Sequence, residues 1–338
     1  MHEASYYTRE DTGTAACSLC PHHCRIAPGQ RGICRVRENR DGKLVSLVYG
    51  QPAAAHVDPI EKKPLFHFLP GSSAFSVSTV GCNLSCPFCQ NHTLSVVERG
   101  VPFISTREVP AEEVVRQAEA SGCRSLCFTY SEPTVFFEYM LEMARLAKER
   151  GLRTNMVSNG YIEKEPLEEL APFMDAANVD LKAFSEKTYR EVLGGRLEPV
   201  LETIRRMKEL GIWLEVTTLV VPEMNDSEQE LAAIAGFLAE VGTGIPWHVS
   251  RFHPCHQWTH LPPTPLKTLK LALECGKKAG LKYIYTGNVP GEPSESTCCP
   301  GCGRIVIERW GFSVRSVHLG PGASCNFCGA AVDGVFDS

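Results

Sequence analysis

The sequence predicts an α/β fold, in which a partial (β/α)6 barrel lies between a small cysteine-rich N-terminal segment and a small cysteine-rich C-terminal domain. Three observations support this prediction. Short apolar segments typical of strands alternate with amphipathic helical segments through the middle of the 338-residue chain. Each strand and helix pair is long enough for a right-handed crossover, which favours a parallel sheet. Most of the 16 cysteines gather in short groups, two of which flank the alternating region.

The barrel is predicted from six strand–helix units in a row. The six strands are predicted at Ser73–Val80, Arg124–Tyr130, Arg153–Ser158, Ala176–Leu181, Ile212–Val220 and Trp247–Phe252. The helices that follow them are predicted at Ala111–Ala118, Phe137–Ala144, Glu165–Ala171, Leu197–Leu210, Ser227–Val241 and Thr264–Ala279. Lys282–Tyr285 is a candidate seventh strand. Six units close only part of a circle, so we expect a barrel that is open on one side.

Three domains are expected: residues 1–70 as the N-terminal segment, 71–289 as the barrel and 290–338 as the C-terminal domain. The last boundary rests on the stretch Pro290-Gly-Glu-Pro-Ser-Glu-Ser-Thr297, whose composition is typical of a linker.

Composition excludes several classes of protein. Acidic residues outnumber basic ones, 39 to 34, so nucleic acid is not an expected partner. The first residues are polar and show no hydrophobic signal region, and no apolar run reaches membrane-spanning length. Many cysteines in a chain without a predicted signal peptide indicate metal binding rather than disulfides. We therefore expect a cytoplasmic protein that does not bind membranes.

The loop after the first predicted strand carries three cysteines, in the order Cys82-Asn-Leu-Ser-Cys86-Pro-Phe-Cys89. Three thiolates on one loop leave one iron of a [4Fe–4S] cluster open to a small molecule, whereas an ordinary ferredoxin cluster has four. The alternatives are three unrelated buried cysteines or a zinc knuckle completed by His92. The position of the loop favours the cluster, because ligands of parallel sheets bind at the carboxyl ends of the strands.

Polar residues recur at the ends of the other predicted strands. They are Ser131 and Glu132 after the second strand, Asn159 after the third, Asp180 and Lys182 at the fourth, and His253 at the sixth. Each has an alternative interpretation, such as a surface ion pair for Asp180 and Lys182 or a plain turn at Asn159. Their recurrence on one face favours a shared site.

The C-x3-C-x2-C spacing, with Phe88 before the third cysteine, resembles the signature of the radical S-adenosylmethionine (SAM) superfamily. The resemblance implies that the open iron chelates the amino and carboxylate groups of SAM. An electron from the cluster then breaks a carbon–sulfur bond and produces a 5'-deoxyadenosyl radical.

The barrel further resembles the pyruvate formate-lyase activating enzyme group, and the whole chain resembles the radical SAM enzyme of the AmmeMemoRadiSam system. The motifs that carry the second resemblance are Cys17-Ser-Leu-Cys20-Pro-His-His-Cys24, Gly29-x-x-Gly32-x-Cys34, the cluster loop, Tyr130-Ser-Glu-Pro-Thr134 and Asp180-Leu-Lys182, with the cysteine-rich tail. The resemblance to the activating enzyme group implies that Ser131 and Glu132, which stand where those enzymes have a Gly-Gly-Glu-Pro segment, help hold the amino group of SAM. It also implies that Asp180, Lys182 and His253 hold the carboxylate end of SAM.

The tail contains two C-x2-C-G knuckles, formed by Cys299 with Cys302 and by Cys325 with Cys328. This pattern predicts a zinc-ribbon-like domain with strands at Arg304–Glu308 and Phe312–Val317, rubredoxin-like iron being the alternative. Cys298 could replace Cys299, although Cys299 has the matching spacing.

The N-terminal cysteines form a less regular group. Cys17, Cys20, Cys24 and Cys34 could close a zinc site or fully ligate an auxiliary iron–sulfur cluster, and the irregular spacing slightly favours zinc. Cys255 follows His253 and is a candidate for handling substrate.

We expect a reductive radical SAM enzyme with a [4Fe–4S] cluster, SAM and zinc as cofactors, and flavodoxin or ferredoxin as reductant. Its radical would activate a protein, such as a glycyl-radical enzyme, or modify a metabolite or peptide, with Memo-like and AMMECR-type partner proteins implied by the resemblance. A nucleic-acid factor that binds through the zinc ribbon is the alternative from another class, although Glu308 and Asp333 dilute the charge of Arg304, Arg309 and Arg315. A scaffold with a structural cluster would leave the three-cysteine loop unexplained.

Overall fold

A computed structural model describes residues 2–98, 107–289, 291 and 293–336 of the chain, so Pro290 and Glu292 of the predicted linker lie outside the described residues. Six short strands come first: β1 (His2–Glu3), β2 (Tyr7–Arg9), β3 (Ala15–Cys17), β4 (Arg25–Ile26), β5 (Arg37–Arg40) and β6 (Lys43–Ser46). They form two three-stranded antiparallel sheets, β1-β6-β5 and β2-β3-β4.

The main sheet has eight strands that neighbour each other in chain order. They are β7 (Ala54–Pro59), β8 (Ser73–Ser78), β9 (Ser125–Phe128), β10 (Arg153–Ser158), β11 (Ala176–Asp180), β12 (Trp213–Val220), β13 (Trp247–Arg251) and β14 (Ile284–Gly287). The strands from β8 to β14 are parallel, which confirms the six predicted strands and the seventh candidate.

Strand β7 was not predicted. It pairs antiparallel with β8 at one edge of the sheet, from Ala54 opposite Ser78 to Pro59 opposite Ser73. Most of its residues are exposed or half-exposed, so its sequence shows no apolar alternation. It lies within residues 1–70 but belongs to the main sheet.

Helices separate the parallel strands. They are α1 (His92–Ser95), α2 (Ala111–Ala120), α3 (Phe137–Glu149), α4 (Lys164–Leu170), α5 (Glu186–Thr188), α6 (Leu197–Glu209), α7 (Glu228–Gly242) and α8 (Leu266–Lys278). The six predicted helices correspond to α2, α3, α4, α6, α7 and α8, whereas the short α1 and α5 were not predicted. In α6, Leu197, Val200, Leu201 and Ile204 are buried at helical spacing, which explains why the sequence pattern located this helix. Ser227 begins α7 by accepting a hydrogen bond from Glu230 N at 3.2 Å.

The two faces of the sheet pack against different parts of the chain. Leu126 and Phe128 of β9 belong to the large core shared with the helices. Cys127, between them, packs in a separate cluster with Ile60 and Phe68. Because successive strand residues point to opposite faces, the segment that contains Ile60 and Phe68 fills the inner face of the barrel.

A buried carboxylate joins this inner segment to the barrel strands. Glu215 of β12 accepts hydrogen bonds from Phe66 N at 3.0 Å and His67 N at 2.8 Å. It also bonds to Trp213 Nε1 at 3.0 Å and to His248 Nε2 at 2.6 Å. Burial would raise the pKa of Glu215. The interactions with His248, His67 and Trp213 outweigh this effect, so the pKa is lowered overall.

The C-terminal residues form β15 (Thr297–Cys298), β16 (Ile305–Trp310), β17 (Ser313–Val317), β18 (Leu319–Gly320) and β19 (Ser324–Cys325). Strands β15, β16 and β17 make an antiparallel sheet, and the two strands predicted in the tail correspond to β16 and β17. Val306 and Ile307 pack with Phe66 and Tyr285. Arg309, 4% exposed, donates to Phe66 O at 2.6 Å, so the tail is anchored against the inner segment of the barrel.

No helix in the described ranges combines the length and apolar character needed to cross a membrane.

Candidate functional site

The cluster loop starts from a glycine that no other residue could replace without strain. Gly81 has a φ of +104°, and a Cβ there would lie 2.7 Å from Val36 Cγ1 and 3.2 Å from Cys34 O. The N-terminal segment therefore leaves no room for a side chain at the start of the cluster loop.

A cavity of about 490 Å³ lies at these strand ends. It is lined by the three loop cysteines and by five of the six residues predicted to bind SAM, namely Cys82, Cys86, Cys89, Ser131, Glu132, Asn159, Asp180 and Lys182. His253 is exposed and lies outside this lining. The structure thus brings together residues from the ends of four parallel strands.

Glu132 is buried and its side chain is fully occupied by protein contacts. One carboxylate oxygen accepts from Thr134 N at 3.0 Å, Thr134 Oγ1 at 2.7 Å and Ser158 Oγ at 2.8 Å. The other accepts from Asn159 N at 2.8 Å. Burial raises the pKa of Glu132, and these hydrogen bonds oppose the rise. The carboxylate therefore ties the end of β10 to the turn after β9.

Ser131 and Asn159 also make defined contacts beside the loop. Ser131 Oγ donates to Thr79 O at 2.7 Å. Asn159 Nδ2 donates to Asn83 Oδ1 at 2.9 Å and lies 3.6 Å from Cys82 Sγ. An N–H group directed at a thiolate sulfur stabilises its negative charge and tunes a cluster bound there.

Asp180 and Lys182 place a cation in the lining of the cavity. Lys182 Nζ lies 2.8 Å from Asp180 Oδ2, and the lysine side chain is only 17% exposed. Burial works against the charge of Lys182, but Asp180 and Cys86 raise its pKa overall above the ordinary value. Burial also raises the pKa of Cys86 to about 11, although Lys182 opposes this. The ammonium group of Lys182 thus favours the thiolate form of Cys86, against the effect of burial.

A second loop covers the cluster loop from outside. Gln257 N donates to Pro87 O at 2.9 Å, and the rings of Phe88 and Trp258 are 5.3 Å apart. Cys255 lies in this second loop, with its Sγ 3.6 Å from Cys89 O. Cys255 therefore contacts the cluster loop but is not part of the cavity lining.

Three residues that the sequence analysis did not name, Asp58, Lys62 and Lys63, form another part of the site together with Tyr130. Asp58 binds Lys62 Nζ at 2.8 Å and the buried Lys63 Nζ at 2.6 Å, and it accepts a hydrogen bond from Tyr130 OH. Lys62, Lys63 and Tyr130 line the cavity. Burial would raise the pKa of Asp58, but the two lysines and Tyr130 hold it well below its usual range. These residues come from separate elements, so no local spacing indicated them.

The C-terminal cysteines form a compact group. The sulfurs of Cys299, Cys302, Cys325 and Cys328 all lie within 4.8 Å of one another, and Cys298 is not part of the group. Four convergent sulfurs suit one tetrahedral metal ion. The N-terminal cysteines Cys17, Cys20, Cys24 and Cys34 instead line a common cavity of about 20 Å³.

Comparisons with known proteins agree with this geometry. Residues 76–235 match the model of the radical SAM superfamily. The uncharacterized protein MJ0808 of Methanocaldococcus jannaschii is 44% identical over 336 residues, which cover 98% of this chain and 99% of that protein. A putative glycyl-radical enzyme activating enzyme of the same organism, MJ1227, is 26% identical over 167 residues, 47% of this chain and 66% of that protein.

Two solved structures share the fold. SuiB of Streptococcus suis bound to S-adenosylmethionine superposes with a TM-score of 0.51 at 20% identity, over 68% of this chain and 53% of that chain. A radical SAM methyltransferase from Sphaerobacter thermophilus has a TM-score of 0.51 at 17% identity, over 70% of this chain and 71% of that chain. The chain therefore belongs to the family of the uncharacterized protein MJ0808, its residues 76–235 form a radical SAM domain, and it is an enzyme that uses SAM.

Proposed function

We propose that this enzyme holds a [4Fe–4S] cluster on Cys82, Cys86 and Cys89 and uses it for reductive cleavage of SAM, with the resulting 5'-deoxyadenosyl radical acting on a protein or peptide. The observation that carries the proposal is the single cavity that joins the three cysteines to Asp180 and Lys182. A cluster bound there would supply the electron that breaks the carbon–sulfur bond of SAM. The donor set fits, because three thiols face one cavity with a buried cation beside Cys86.

The protein residues would bind and orient SAM. Lys182 would pair with the SAM carboxylate, with Asp180 orienting the ammonium group. Because both Glu132 oxygens already have protein partners, Glu132 and Ser131 would act through the backbone that their side chains fix in position. His253 would need its loop to turn inward to reach the same ligand.

A protein or peptide substrate is favoured over a small metabolite by the aromatic surface beside the cavity. Phe312, at the tip between β16 and β17, lines the cavity and is 53% exposed, and its neighbour Trp310 is 55% exposed. Exposed aromatic side chains next to a site are typical of surfaces that bind proteins. The relative MJ1227, named as a putative glycyl-radical enzyme activating enzyme, supports the same class of substrate.

Within this proposal, the chain is the radical SAM enzyme of an AmmeMemoRadiSam system. It would act in the cytoplasm with flavodoxin or ferredoxin as reductant and with Memo-like and AMMECR-type partners. The proposed domains are 1–70, 71–289 and 290–338, with β7 of the first completing the sheet of the second and zinc in the last.

Anaerobic reconstitution followed by product analysis with SAM and dithionite tests the chemistry. We expect 5'-deoxyadenosine, and its absence from protein with a full cluster would contradict the proposal. Candidate partner proteins should increase its formation and acquire a modification, whereas stimulation only by small metabolites would assign the other substrate class.

A nucleic-acid factor fits the structure less well. Arg309 is buried, while Arg304 and Arg315 stack on Phe327 and Trp310 at 3.6 and 4.8 Å from the ring centres. The purified protein should therefore show no absorbance excess near 260 nm after a salt wash.

Lys182→Met should weaken SAM binding about ten- to hundred-fold. The variant loses a charge-assisted hydrogen bond in a partly dry site, which costs roughly 1.5–3 kcal/mol. SAM affinity should be measured on reconstituted protein whose iron–sulfur absorbance is unchanged. Lys187→Met, which removes a lysine with an 80% exposed side chain, is the control. Equal affinities in the two variants would remove Lys182 from the site.

Cys302→Ser should release about one zinc ion per chain and loosen the segment after Thr297, because a structural metal supplies folding energy to a small domain. The barrel should keep its melting transition, since its core is built from other residues. Metal analysis and limited proteolysis measure the two effects. Cys298→Ser, at an exposed cysteine outside the compact group, should change neither. Unchanged zinc in Cys302→Ser would contradict the zinc-ribbon prediction.

A further inference from the structure

The main cavity has a second charged group that the proposed SAM contacts do not use. The Asp58 carboxylate lies 2.8 Å from Lys62 Nζ and 2.6 Å from Lys63 Nζ, and both lysines line the cavity. We call these three residues the lysine group. The pKa of Asp58 is held well below its usual range by the two lysines and Tyr130, so the carboxylate is ionised. One carboxylate cannot balance two ammonium groups, and the surplus positive charge beside the cavity favours a bound anion.

The surrounding residues fix Lys63 and leave Lys62 accessible. The Lys63 side chain is 2% exposed, and its Nζ lies 4.3 Å from the centre of the Tyr130 ring. Tyr130 also donates a hydrogen bond from its OH to Asp58, and its φ of +67° lies in a region that tyrosine rarely adopts. Backbone strain of this kind is found most often at functional sites. The Lys62 side chain is 47% exposed, so its ammonium group is the one that a ligand can reach.

The inner segment of the barrel places the lysine group below the strand ends. Asn178 Nδ2 of β11 donates to the carbonyl oxygen of Pro64, the residue after Lys63, at 2.8 Å. Asp180 lies two residues beyond Asn178 on the same face of the sheet, and Thr217 of β12 pairs with it in register. Lys63 and Pro64 therefore form the floor of the cavity, whereas the cluster loop lies at the strand ends above it.

A buried hydroxyl group without a partner lines the same cavity. Thr217 is 7% exposed, and its Oγ1 has no hydrogen-bond partner among the described residues. A buried polar group that lacks a partner destabilises the protein, so a ligand that accepts its proton would be favoured. A carboxylate has two acceptor oxygens and can bind an ammonium group and a hydroxyl group at the same time.

Under the proposed function, SAM does not supply this anion. SAM has one carboxylate, and Lys182, the cation beside Cys86, would bind it. The remaining ligand of the cavity is the substrate. One surplus positive charge in the lysine group matches a single carboxylate better than a phosphate group, which carries up to two negative charges.

We propose that Lys62 and the Thr217 hydroxyl bind a carboxylate of the substrate, with Asp58 and Lys63 holding Lys62 in position. The substrate is then a peptide whose reacting residue lies next to a carboxylate, either an acidic side chain or the C-terminus of the chain. Phe312, at the edge of the same cavity, would contact the rest of the peptide. This proposal rests on the proposed function, which places the radical in this cavity.

Three short peptides test the site. Acetyl-Gly-Glu-Gly-amide has a side-chain carboxylate, acetyl-triglycine has a C-terminal carboxylate, and acetyl-Gly-Gln-Gly-amide is the neutral control. Their binding to oxidised, reconstituted parent protein in the presence of SAM is measured by nuclear magnetic resonance titration. One carboxylate peptide should bind about tenfold more tightly than the neutral peptide, and its identity assigns the source of the carboxylate. If neither binds more tightly than the neutral peptide, the proposal is overturned.

Variants then assign the binding to the cavity. Lys62→Gln should weaken the tighter carboxylate peptide about tenfold, and Thr217→Val, which keeps the side-chain shape, about threefold. Lys187→Gln, at a lysine with an 80% exposed side chain, should bind it as the parent does. Parent-like binding in Lys62→Gln would exclude the lysine group. Parent-like binding in Thr217→Val would overturn the cavity site in favour of attraction by an exposed charge.

SAM affinity separates this role from a contact with the cofactor. Lys62→Gln should bind SAM as tightly as the parent, and a loss of SAM affinity equal to the loss of peptide affinity would assign the lysine group to SAM instead. None of these measurements requires SAM cleavage. A parent protein with a full cluster that forms no 5'-deoxyadenosine would contradict the proposed function, whereas equal binding of the three peptides by an active parent would overturn the carboxylate site alone.

Discussion

Cys86→Ala should abolish the reductive cleavage of SAM. The loop provides only three thiolates, so the loss of one leaves two ligands for the cluster in the main cavity. The same change removes a side chain that, together with Asp180, raises the pKa of Lys182. We expect 5'-deoxyadenosine to fall below detection and the iron content to fall by about four per chain.

The control for this experiment is Cys298→Ala, because Cys298 is exposed and belongs to none of the three cysteine groups. That variant should match the parent in iron, zinc and product formation. A Cys86→Ala protein that made 5'-deoxyadenosine at the parent rate would show that the cluster is bound elsewhere.

Glu215→Leu should lower the free energy of unfolding by about 3–5 kcal/mol, because several buried donors lose their acceptor and each unsatisfied group costs about 1–3 kcal/mol. The change leaves two backbone N–H groups, Trp213 and His248 without their acceptor inside the barrel. Urea unfolding of the metal-loaded protein measures the loss. Glu198→Leu, at a carboxylate with a 64% exposed side chain, should change stability by no more than about 1 kcal/mol.

The contribution of Glu215 should also depend on pH. Since its pKa is lowered in the folded protein, the stabilisation is complete above the unfolded-state pKa of about 4.3. It is lost as the pH falls through the folded-state value. The difference in stability between parent and Glu215→Leu should therefore shrink in acid. A constant difference from neutral to acidic pH would show that the carboxylate charge does not stabilise the fold.

The parallel strands could be predicted because each is buried on both faces and separated from the next by an amphipathic helix. Strand β10 begins and ends at the predicted residues, Arg153 and Ser158. Strand β7 could not be predicted, because edge pairing with β8 rather than apolar alternation creates it. The formation of this edge strand is a property of the sheet, not of its own sequence.

In the candidate site, too, features encoded by nearby residues could be predicted, whereas contacts between distant elements could not. The cysteine groups were visible because their ligands are close in sequence, and Asp180 and Lys182 were visible because they end a strand. The contact of Asp58 with Lys63 and Tyr130 depends on how β7 meets the turn after β9, which no local pattern encodes. The loop of His253 is set by Phe252 N, which donates to Thr264 Oγ1 at 2.8 Å, a contact between residues distant in sequence.

Phe312 would link a metal bound in the tail to the chemistry proposed for the barrel. Its side chain lines the main cavity, and the domain that carries it also carries the compact cysteine group that could hold a metal ion. Thermodynamic linkage then requires reciprocity between the two ligands. If metal in the tail tightens substrate binding tenfold, bound substrate must tighten the metal tenfold, a coupling of about 1.4 kcal/mol. A chelator that removes the metal would accordingly weaken the binding of substrate, although it acts at a different site.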